Sequence, residues 1–297
     1  MKLPSLRQMQ YLVSLHEYLH FGRAANACFI SQPTLSSAIK ELEETLGVNL
    51  VERTNRTVAF TLAGEAVVEQ CEQVLLQTRE IVDSVQQYRT PLTGTLRLGV
   101  IPTIAPFLMP DFIARIERNY PQLELYIREN TTQLLMGELI SGTLDLLILA
   151  LPYQAPQAFT KVVFREKLHL AFHKGSRLMK TTRIDFNQLP NGSLLLLEDG
   201  HCLRDHALSG CQLANSHTIH TFGVTSLQML VQMVNRNTGV TLIPQMSIDA
   251  GILNGTDVLT RPLPTSRYYR DIGMAWRKAS VNADEYELLS LELKKQS

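Results

Sequence analysis

The residues best suited to chemistry lie in one short segment, 197–211, which reads LEDGHCLRDHALSGC. Cys202 follows His201 directly, and Arg204 comes two residues later. Cationic neighbours favour the thiolate over the thiol, and the thiolate is the form that reacts with peroxide. Oxidation then gives a sulfenic acid, which a second thiol condenses to a disulfide. Cys211 is the expected resolving partner, so the segment predicts a redox-active cysteine pair.

The spacing of the two cysteines adds a conformational prediction. If the segment is helical, the nine-residue step from Cys202 to Cys211 separates the two residues by about 13.5 Å along the helix axis. A disulfide requires Cα atoms within about 7 Å of each other. Forming the bond would therefore require local refolding, and refolding converts the chemistry into a conformational signal.

Three other interpretations of these residues stay open at this point. Both thiols could be inert packing residues. A zinc site could be formed by His201, Cys202, His206 and Cys211, although their spacing matches no standard zinc finger. Cys202 could also serve a thiol peroxidase, an enzyme that turns over substrate.

The composition is that of an ordinary globular protein. The 297 residues suffice for two domains, and 45% apolar with 19% charged residues argues against disorder. Four cysteines do not make a disulfide scaffold in a chain of this length, which predicts a cytoplasmic protein. Cys28, expected on the inner face of a helix, and Cys71 are predicted to be structural. The N-terminus lacks the apolar core of a signal peptide, and no stretch reaches the roughly 18 apolar residues of a membrane span. No membrane, metal or cofactor is expected.

The first sixty residues predict a compact helical domain with a two-stranded wing. Three helices and two strands are expected over 6–18, 22–28, 31–46, 51–53 and 57–61. The Ser31 hydroxyl is placed to cap the third helix, and Gly47 is placed to end it. One buried apolar stripe runs along this helix, formed by Leu35, Ile39, Leu42 and Leu46. Asn55 and Arg56 are expected in the turn of the wing.

The opposite face of the third helix carries side chains suited to reading DNA. They are Gln32, Pro33, Thr34, Ser36, Ser37 and Lys40. The helix N-terminus can approach a phosphate, and glutamine and threonine can reach base edges in a major groove. Arg53 and Arg56 on the wing would contact the flanking backbone. The net charge is only +1 over residues 1–60, so a plain solvated helix face is the alternative.

Residues 61–89 predict one long helix, because they contain no proline and their only glycine is near the start. The pattern is typical of a coiled-coil seam, because spacings of four and three residues alternate along Val67, Cys71, Val74, Thr78, Ile81 and Val85. A helix of about 29 residues spans roughly 43 Å and cannot bury such a seam alone, which predicts dimerisation. The alternative is an amphipathic helix that lies on its own domain.

After a short hinge at 91–94 the pattern becomes α/β. Strands are expected at 96–101, 123–128, 144–150, 168–172, 194–197, 240–243 and 272–276. Helices are expected at 106–119, 132–141, 226–235 and 283–295. Near-continuous apolar strands between helices predict a parallel sheet that is covered on both faces.

Residues 21–61 resemble the winged helix-turn-helix of the LysR-type transcriptional regulators. The AA pair, SQPTLS, LE-x-x-LG and L-x-ER fall in register, and T-x-AG follows at Thr61 to Gly64. One departure is Lys40, where many relatives have an arginine that can contact guanine bidentately. The resemblance covers the full length and implies an α/β multidomain protein. Its parts are a winged helix-turn-helix (1–60), a dimerisation and linker helix (61–90) and an effector domain (94–297) similar to periplasmic binding proteins. The effector domain would have two α/β subdomains, at about 94–165 with 270–297 and about 166–269.

A closer resemblance is to the peroxide-sensing members of this family. The shared features are LEDGHCLRD with a second cysteine nine residues after Cys202, VIPT followed by Pro106, and TQLL at 132–135. YRDIG at 269–273 is a looser match. The resemblance implies a peroxidatic Cys202, a resolving Cys211 and a surrounding pocket formed by Thr103, Thr132, His201, Arg204, Asp205 and Arg270.

The same resemblance implies the partners of the protein. They are promoter DNA, hydrogen peroxide as the signal, further copies of the chain in a dimer or tetramer, RNA polymerase and a cellular thiol reductant. The protein would be an activator of oxidative-stress genes and not an enzyme.

Overall fold

The computed structural model describes residues 3–53, 58–86, 91–153, 155–180, 186, 189–211, 223–263 and 268–294. The chain divides into two compact units, Met1–Tyr88 and Arg89–Ser297. In the first unit, the helices are α1 (Leu6–Tyr18), α2 (Phe21–Ala27), α3 (Gln32–Leu46) and α4 (Leu62–Gln86). The strands β1 (Val51–Arg53) and β2 (Val58–Phe60) form an antiparallel pair. The predicted winged helix-turn-helix and the long helix after it are confirmed.

Local capping fixes the ends of α3. Ser31 is the N-cap residue, and its hydroxyl accepts a hydrogen bond from the backbone N–H of Thr34 at 3.4 Å. Gly47 ends the helix with a φ of +69°, in the left-handed region that favours glycine. Three residues of the predicted apolar stripe, Leu35, Ile39 and Leu42, are fully buried in the core of the unit. The fourth, Leu46, is exposed at the end of the helix, contrary to the prediction.

The predicted seam on α4 divides into two parts. Cys71 is buried in the core of the first unit, together with its neighbour Val68. Farther along the helix, Val74 is 36% exposed and Ile81 is 67% exposed. The beginning of the helix thus lies on its own domain, while its later described part presents apolar side chains outward. Cys28 differs from expectation, because it ends α2 as a half-buried C-cap residue instead of lying on an inner face.

The second unit alternates helices and strands. Its helices are α5 (Ala105–Asn119), α6 (Thr132–Ile140), α7 (Cys202–Cys211), α8 (Leu227–Asn235), α9 (Gln245–Asp249) and α10 (Ala283–Lys294). Its strands are β3 (Gly94–Val100), β4 (Leu123–Glu129), β5 (Leu146–Leu151), β6 (Ala158–His173), β7 (Thr241–Pro244), β8 (Val258–Pro262) and β9 (Tyr269–Arg277).

The sheet of the second unit is mixed, which corrects the prediction of a parallel sheet. Its order is β4-β3-β5-β9-β6-β7, with β8 also paired to β6. Among the strands that the structure describes, β3 pairs in parallel with β4 and β5, and β9 runs antiparallel to both β5 and β6. The long strand β6 was expected only at 168–172. The segment 194–197, expected as a strand, makes only isolated bridges from Leu194 to Val240 and from Leu197 to Val224.

Two hydrophobic clusters lie in the second unit. The first core cluster includes Leu98, Val100, Phe112, Leu147, Trp276 and Tyr286. The second core cluster includes Leu168, Leu170, Phe186, Leu196, Val231 and Ile243. Helix α7 contributes to both, because Cys202 belongs to the first cluster and Leu203 and Ala207 belong to the second. No helix in the described part of the chain is long and apolar enough to span a membrane.

Candidate functional site

Cys202 is the first residue of α7, and its thiol is buried against another helix start. Gly200, with a φ of +92°, turns the chain just before it. The Cys202 Sγ lies 2.6 Å from the Oγ1 of Thr132, the first residue of α6. Cys202 is 9% exposed and Thr132 is 2% exposed. The two side chains therefore form a direct thiol–hydroxyl pair that is shielded from solvent.

The electrostatics of Cys202 differ from the expectation drawn from its neighbours in sequence. Burial raises the pKa of the Cys202 thiol, while the hydrogen bond from Thr132 and the positive charge of Arg270 act in the opposite direction. The carboxylate of Asp205 adds to the rise. The cation that favours the thiolate is therefore Arg270, which is distant in sequence.

The two cationic candidates next to Cys202 have other roles. Burial lowers the pKa of His201, which favours its neutral form. The Arg204 guanidinium forms an ion pair with Asp199 at 2.8 Å and donates to the carbonyl oxygen of Leu197 at 3.0 Å. The prediction that His201 and Arg204 favour the thiolate is therefore not supported by the geometry. Asp205 is exposed on the surface of α7.

Arg270 is held by a buried polar network. Its Nε donates to the Oε1 of Glu166 at 2.5 Å, and its Nη1 and Nη2 donate to the hydroxyl and the carbonyl oxygen of Thr103 at 2.9 and 3.0 Å. Arg270 is 1% exposed and Glu166 is 7% exposed. The second oxygen of Glu166 accepts from the backbone N–H of Met246 at 3.2 Å. A buried cation with fixed partners of this kind keeps its position.

The two threonines occupy equivalent places in the sheet. Thr103 lies between the end of β3 and the start of α5, and Thr132 opens α6 after β4. Because β3 and β4 are adjacent parallel strands, both hydroxyls lie at the same edge of the sheet. Thr132 contacts Cys202 directly, whereas Thr103 accepts hydrogen bonds from Arg270, whose charge acts on the thiol.

Cys211 is the last residue of α7, at the opposite end of the helix from Cys202. Its backbone is described, and its side chain lies outside the described residues. The conditional prediction that this segment is helical is confirmed. Ten helical residues place the two backbone positions about 13.5 Å apart along the axis, too far for a disulfide in this conformation.

The described residues do not support the zinc alternative. They contain no group of three or more histidine, cysteine, aspartate and glutamate side chains that could hold a metal ion. Both ring nitrogens of His206 face backbone carbonyl oxygens, those of Cys202 and Leu151. A ring with both nitrogens engaged in this way is not presented to a metal.

A cleft of about 540 Å³ lies beside the thiol site. Polar side chains line it at both sides, namely Glu129, Asn130, Thr131, Glu198, His201 and Ser226. Cys202 is not among its lining residues, but His201, the residue before it, is. The cleft can hold a small polar molecule next to α7.

The candidate DNA interface lies on the outer face of α3. Gln32, Pro33, Thr34, Ser37 and Lys40 are exposed, and Ser36 is half-buried. The Thr34 hydroxyl lies 2.7 Å from the Ser31 Oγ, and Lys40 pairs with Glu44 at 3.8 Å. Arg53 is the last residue of β1, with a side chain outside the described residues, and Arg56 lies outside them altogether.

The sequence pattern did not point to Glu166 at the thiol site or to the contacts of His206 beside it. Glu166 lies on the part of β6 that was not recognised as a strand, and it faces an arginine 104 residues away. His206 was considered only as a zinc ligand. Its position four residues after Cys202, one helical turn along α7, was the available signal.

The fold and the sites define a class of bacterial regulators. The model of the "bacterial regulatory helix-turn-helix protein, lysR family" matches residues 6–65, and that of the "LysR substrate binding domain" matches residues 89–294. The chain belongs to the LysR family of transcriptional regulators, whose members are regulators rather than enzymes.

The comparisons also identify particular relatives. The chain is 38% identical over 288 residues to a hydrogen peroxide-inducible genes activator from Dickeya chrysanthemi, with 96% of this chain and 93% of that protein covered. It is 36% identical over 287 residues to the HTH-type transcriptional regulator EstR from Acinetobacter baylyi, with 97% and 95% covered. A full-length OxyR variant from Pseudomonas aeruginosa superposes with a TM-score of 0.79 at 34% identity, with 99% and 96% of the two chains covered.

Proposed function

We propose that this LysR-type regulator senses hydrogen peroxide by reversible formation of a Cys202–Cys211 disulfide. The observation that carries the proposal is the placement of the two cysteines at opposite ends of α7, with the Cys202 thiol buried against Thr132. Full-length similarity to a hydrogen peroxide-inducible genes activator supports it.

The chemistry of the proposed switch has two steps. The Cys202 thiolate attacks one oxygen of hydrogen peroxide, an S–O bond forms, the O–O bond breaks, and hydroxide leaves to become water. The Cys211 thiol then attacks the sulfenic sulfur, and a second water leaves as the disulfide forms. In this proposal, Thr103, Thr132 and Arg270 hold the peroxide oxygens and the thiolate, while His201, Arg204 and Asp205 shape the start of α7. A cellular thiol reductant would restore the dithiol.

The disulfide cannot form while α7 is intact, so oxidation must refold the segment. Helix α7 packs on both core clusters of the second unit. Refolding withdraws Cys202 from the first of them. We infer that this change alters contacts between effector domains of a homodimer or homotetramer and so the spacing of the DNA-binding domains. The proposed domains are 1–60, 61–90 and 94–297, with subdomains at about 94–165 with 270–297 and about 166–269.

In the proposed output, α3 reads operator DNA in the cytoplasm and RNA polymerase is the target of activation. Gln32, Pro33, Thr34, Ser36, Ser37 and Lys40 would contact bases and phosphates, and Arg53 and Arg56 the flanking backbone. Gln32→Ala is expected to abolish specific binding to an operator duplex while leaving the reaction of Cys202 with peroxide unchanged. Fluorescence anisotropy and thiol mapping on the same sample measure the two properties.

The decisive experiment for the thiol switch is peptide mapping of the reduced protein after brief, near-stoichiometric peroxide. We expect a Cys202–Cys211 disulfide within seconds, with Cys28 and Cys71 remaining as free thiols. Slow and similar oxidation of all four thiols would overturn the peroxide proposal.

A second candidate function is recognition of a small organic effector. The 540 Å³ cleft beside His201 favours it. If Cys202→Ser leaves the peroxide response of its promoters intact, the cleft becomes the sensing site.

A further inference from the structure

His206 lies one turn beyond Cys202 on α7, and its ring joins this helix to a strand. The Nδ1 lies 2.7 Å from the carbonyl oxygen of Cys202, and the Nε2 lies 3.1 Å from the carbonyl oxygen of Leu151. Leu151 is the last residue of β5, in the first core cluster. The half-buried ring of His206 therefore fastens the middle of α7 to the edge of the central sheet.

The two contacts place a chemical requirement on the ring. A carbonyl oxygen only accepts hydrogen bonds, and a neutral imidazole carries only one N–H. Both contacts are hydrogen bonds at the same time only when each ring nitrogen carries a proton. With a neutral ring, one nitrogen lone pair faces a carbonyl oxygen, and the connection is weaker by one hydrogen bond.

Charged side chains from neighbouring strands lie around the ring. Asp271 on β9 is the register partner of Leu151 on β5, and its carboxylate interacts electrostatically with His206. The neighbouring strand β6 contributes Arg165, which pairs with Asp271 at 2.6 and 2.9 Å. On α7 itself, the nearby titratable groups are Cys202 and Asp205.

We propose that His206 is a positioning residue of the thiol switch, which pins α7 to Leu151 and restrains its refolding until Cys202 is oxidised. The inference rests on the proposed Cys202–Cys211 disulfide. His206 does not touch the reacting sulfur, so it acts on the second step, in which the Cys202 sulfenic acid and the Cys211 thiol condense with loss of water. Breaking the contacts of the ring with the carbonyl oxygens of Cys202 and Leu151 belongs to the cost of that step.

The test separates the two chemical steps in the full-length, reduced protein. After rapid mixing with hydrogen peroxide, a dimedone-type reagent traps the sulfenic acid, and acid quenching followed by alkylation measures the disulfide. The variants are His206→Leu, which has no donor, and His206→Gln, whose amide restores one. Ser209→Ala, on the exposed side of the same helix, is the matched control.

We expect His206→Leu to form the sulfenic acid at the wild-type rate and the disulfide about tenfold faster. The equilibrium between dithiol and disulfide, measured in a glutathione buffer, should shift by about the same factor towards the disulfide. His206→Gln should lie between this variant and the wild type, and Ser209→Ala should match the wild type.

Other outcomes distinguish this inference from the function on which it rests. If His206→Leu forms the disulfide at the wild-type rate and with the wild-type equilibrium, the pin is overturned and the switch stands. If the wild type forms no Cys202–Cys211 disulfide, both proposals are overturned. If His206→Leu folds poorly, His206→Asn, with a shorter side chain that cannot span both carbonyl oxygens, gives the same test.

Discussion

Cys71 and Cys202 are both buried thiols, in the first and second unit respectively, and they differ in their polar surroundings. Burial is the main cause that raises the pKa of each. At Cys71 the second cause, the carboxylate of Glu72, raises the pKa further. At Cys202 the hydrogen bond with Thr132 and the charge of Arg270 oppose the effect of burial. Burial therefore does not distinguish the two thiols, whereas the hydroxyl of Thr132 and the charge of Arg270 act on Cys202 alone of the two.

The largest expected effect comes from removing each thiol in turn. Cys202→Ser should abolish rapid peroxide consumption and all disulfide formation. Cys71→Ser should leave both intact, because burial and the Glu72 carboxylate both raise the pKa of Cys71 and so disfavour its thiolate. Stopped-flow peroxide consumption with peptide mapping measures both variants. Rapid oxidation of Cys71 in the wild type would break the comparison.

A large loss of stability is expected from Arg270→Met. The substitution leaves the buried carboxylate of Glu166 without its cation, which costs about 3 to 5 kcal/mol. Denaturant unfolding of the reduced protein measures the loss. The double variant Arg270→Met, Glu166→Gln should recover most of the stability and none of the fast peroxide reaction. Recovery of that reaction would show that Arg270 acts only through packing.

The pH dependence of the reaction tests the state of the Cys202 thiol. Burial holds its pKa above the ordinary value of 9.0, so the thiolate fraction at neutral pH is small. The peroxide rate should therefore rise about tenfold per pH unit between about pH 6 and 8. The raised pKa stabilises the folded, reduced protein at pH values below the pKa of the thiol in the unfolded chain. This contribution disappears as the pH rises through the pKa of the thiol in the folded protein. A rate independent of pH in this range would contradict the assignment.

The smallest effect is expected at Thr132. Thr132→Val removes the hydroxyl that contacts the Cys202 sulfur and keeps the shape of the side chain, at a cost of about 1 kcal/mol, or roughly fivefold in the peroxide rate. Thr132→Ser restores the hydroxyl and should restore most of the rate. Equal peroxide rates in the two variants would show that the Thr132 hydroxyl does not contribute to the difference in reactivity between Cys202 and Cys71.

The sequence predicted local structure well and tertiary pairing less well. Helix α1 was predicted at its observed bounds and α3 with its observed cap, because capping residues and apolar periodicity are local signals. Residues 158–167 of β6 were missed because Lys161, Arg165 and Glu166 interrupt the apolar pattern. That part of the strand is defined by its ladder with β9, a contact between segments more than a hundred residues apart.

The site followed the same division. The strand-to-helix positions of Thr103 and Thr132 were anticipated from local pattern, whereas helicity between Cys202 and Cys211 was only assumed in calculating their separation. Adjacent residues in the sequence suggested His201 and Arg204 as the cations at the thiol, but the cation comes from Arg270 on another strand. Its partner Glu166 could not be recognised, because a buried carboxylate is identified only by the charge that faces it.

The membership of Cys202 in the first core cluster has a consequence for how sensitive the regulator is. Forming the proposed disulfide removes a side chain from a packed interior and leaves a void, whose cost grows by about 24 cal/mol for each Å³ that does not collapse. The threshold at which the regulator responds would then depend on how closely the apolar neighbours fit around one sulfur atom. Relatives with the same cysteines could therefore be tuned to different oxidant levels by single methylene groups in that interior, without any change in the reacting residues.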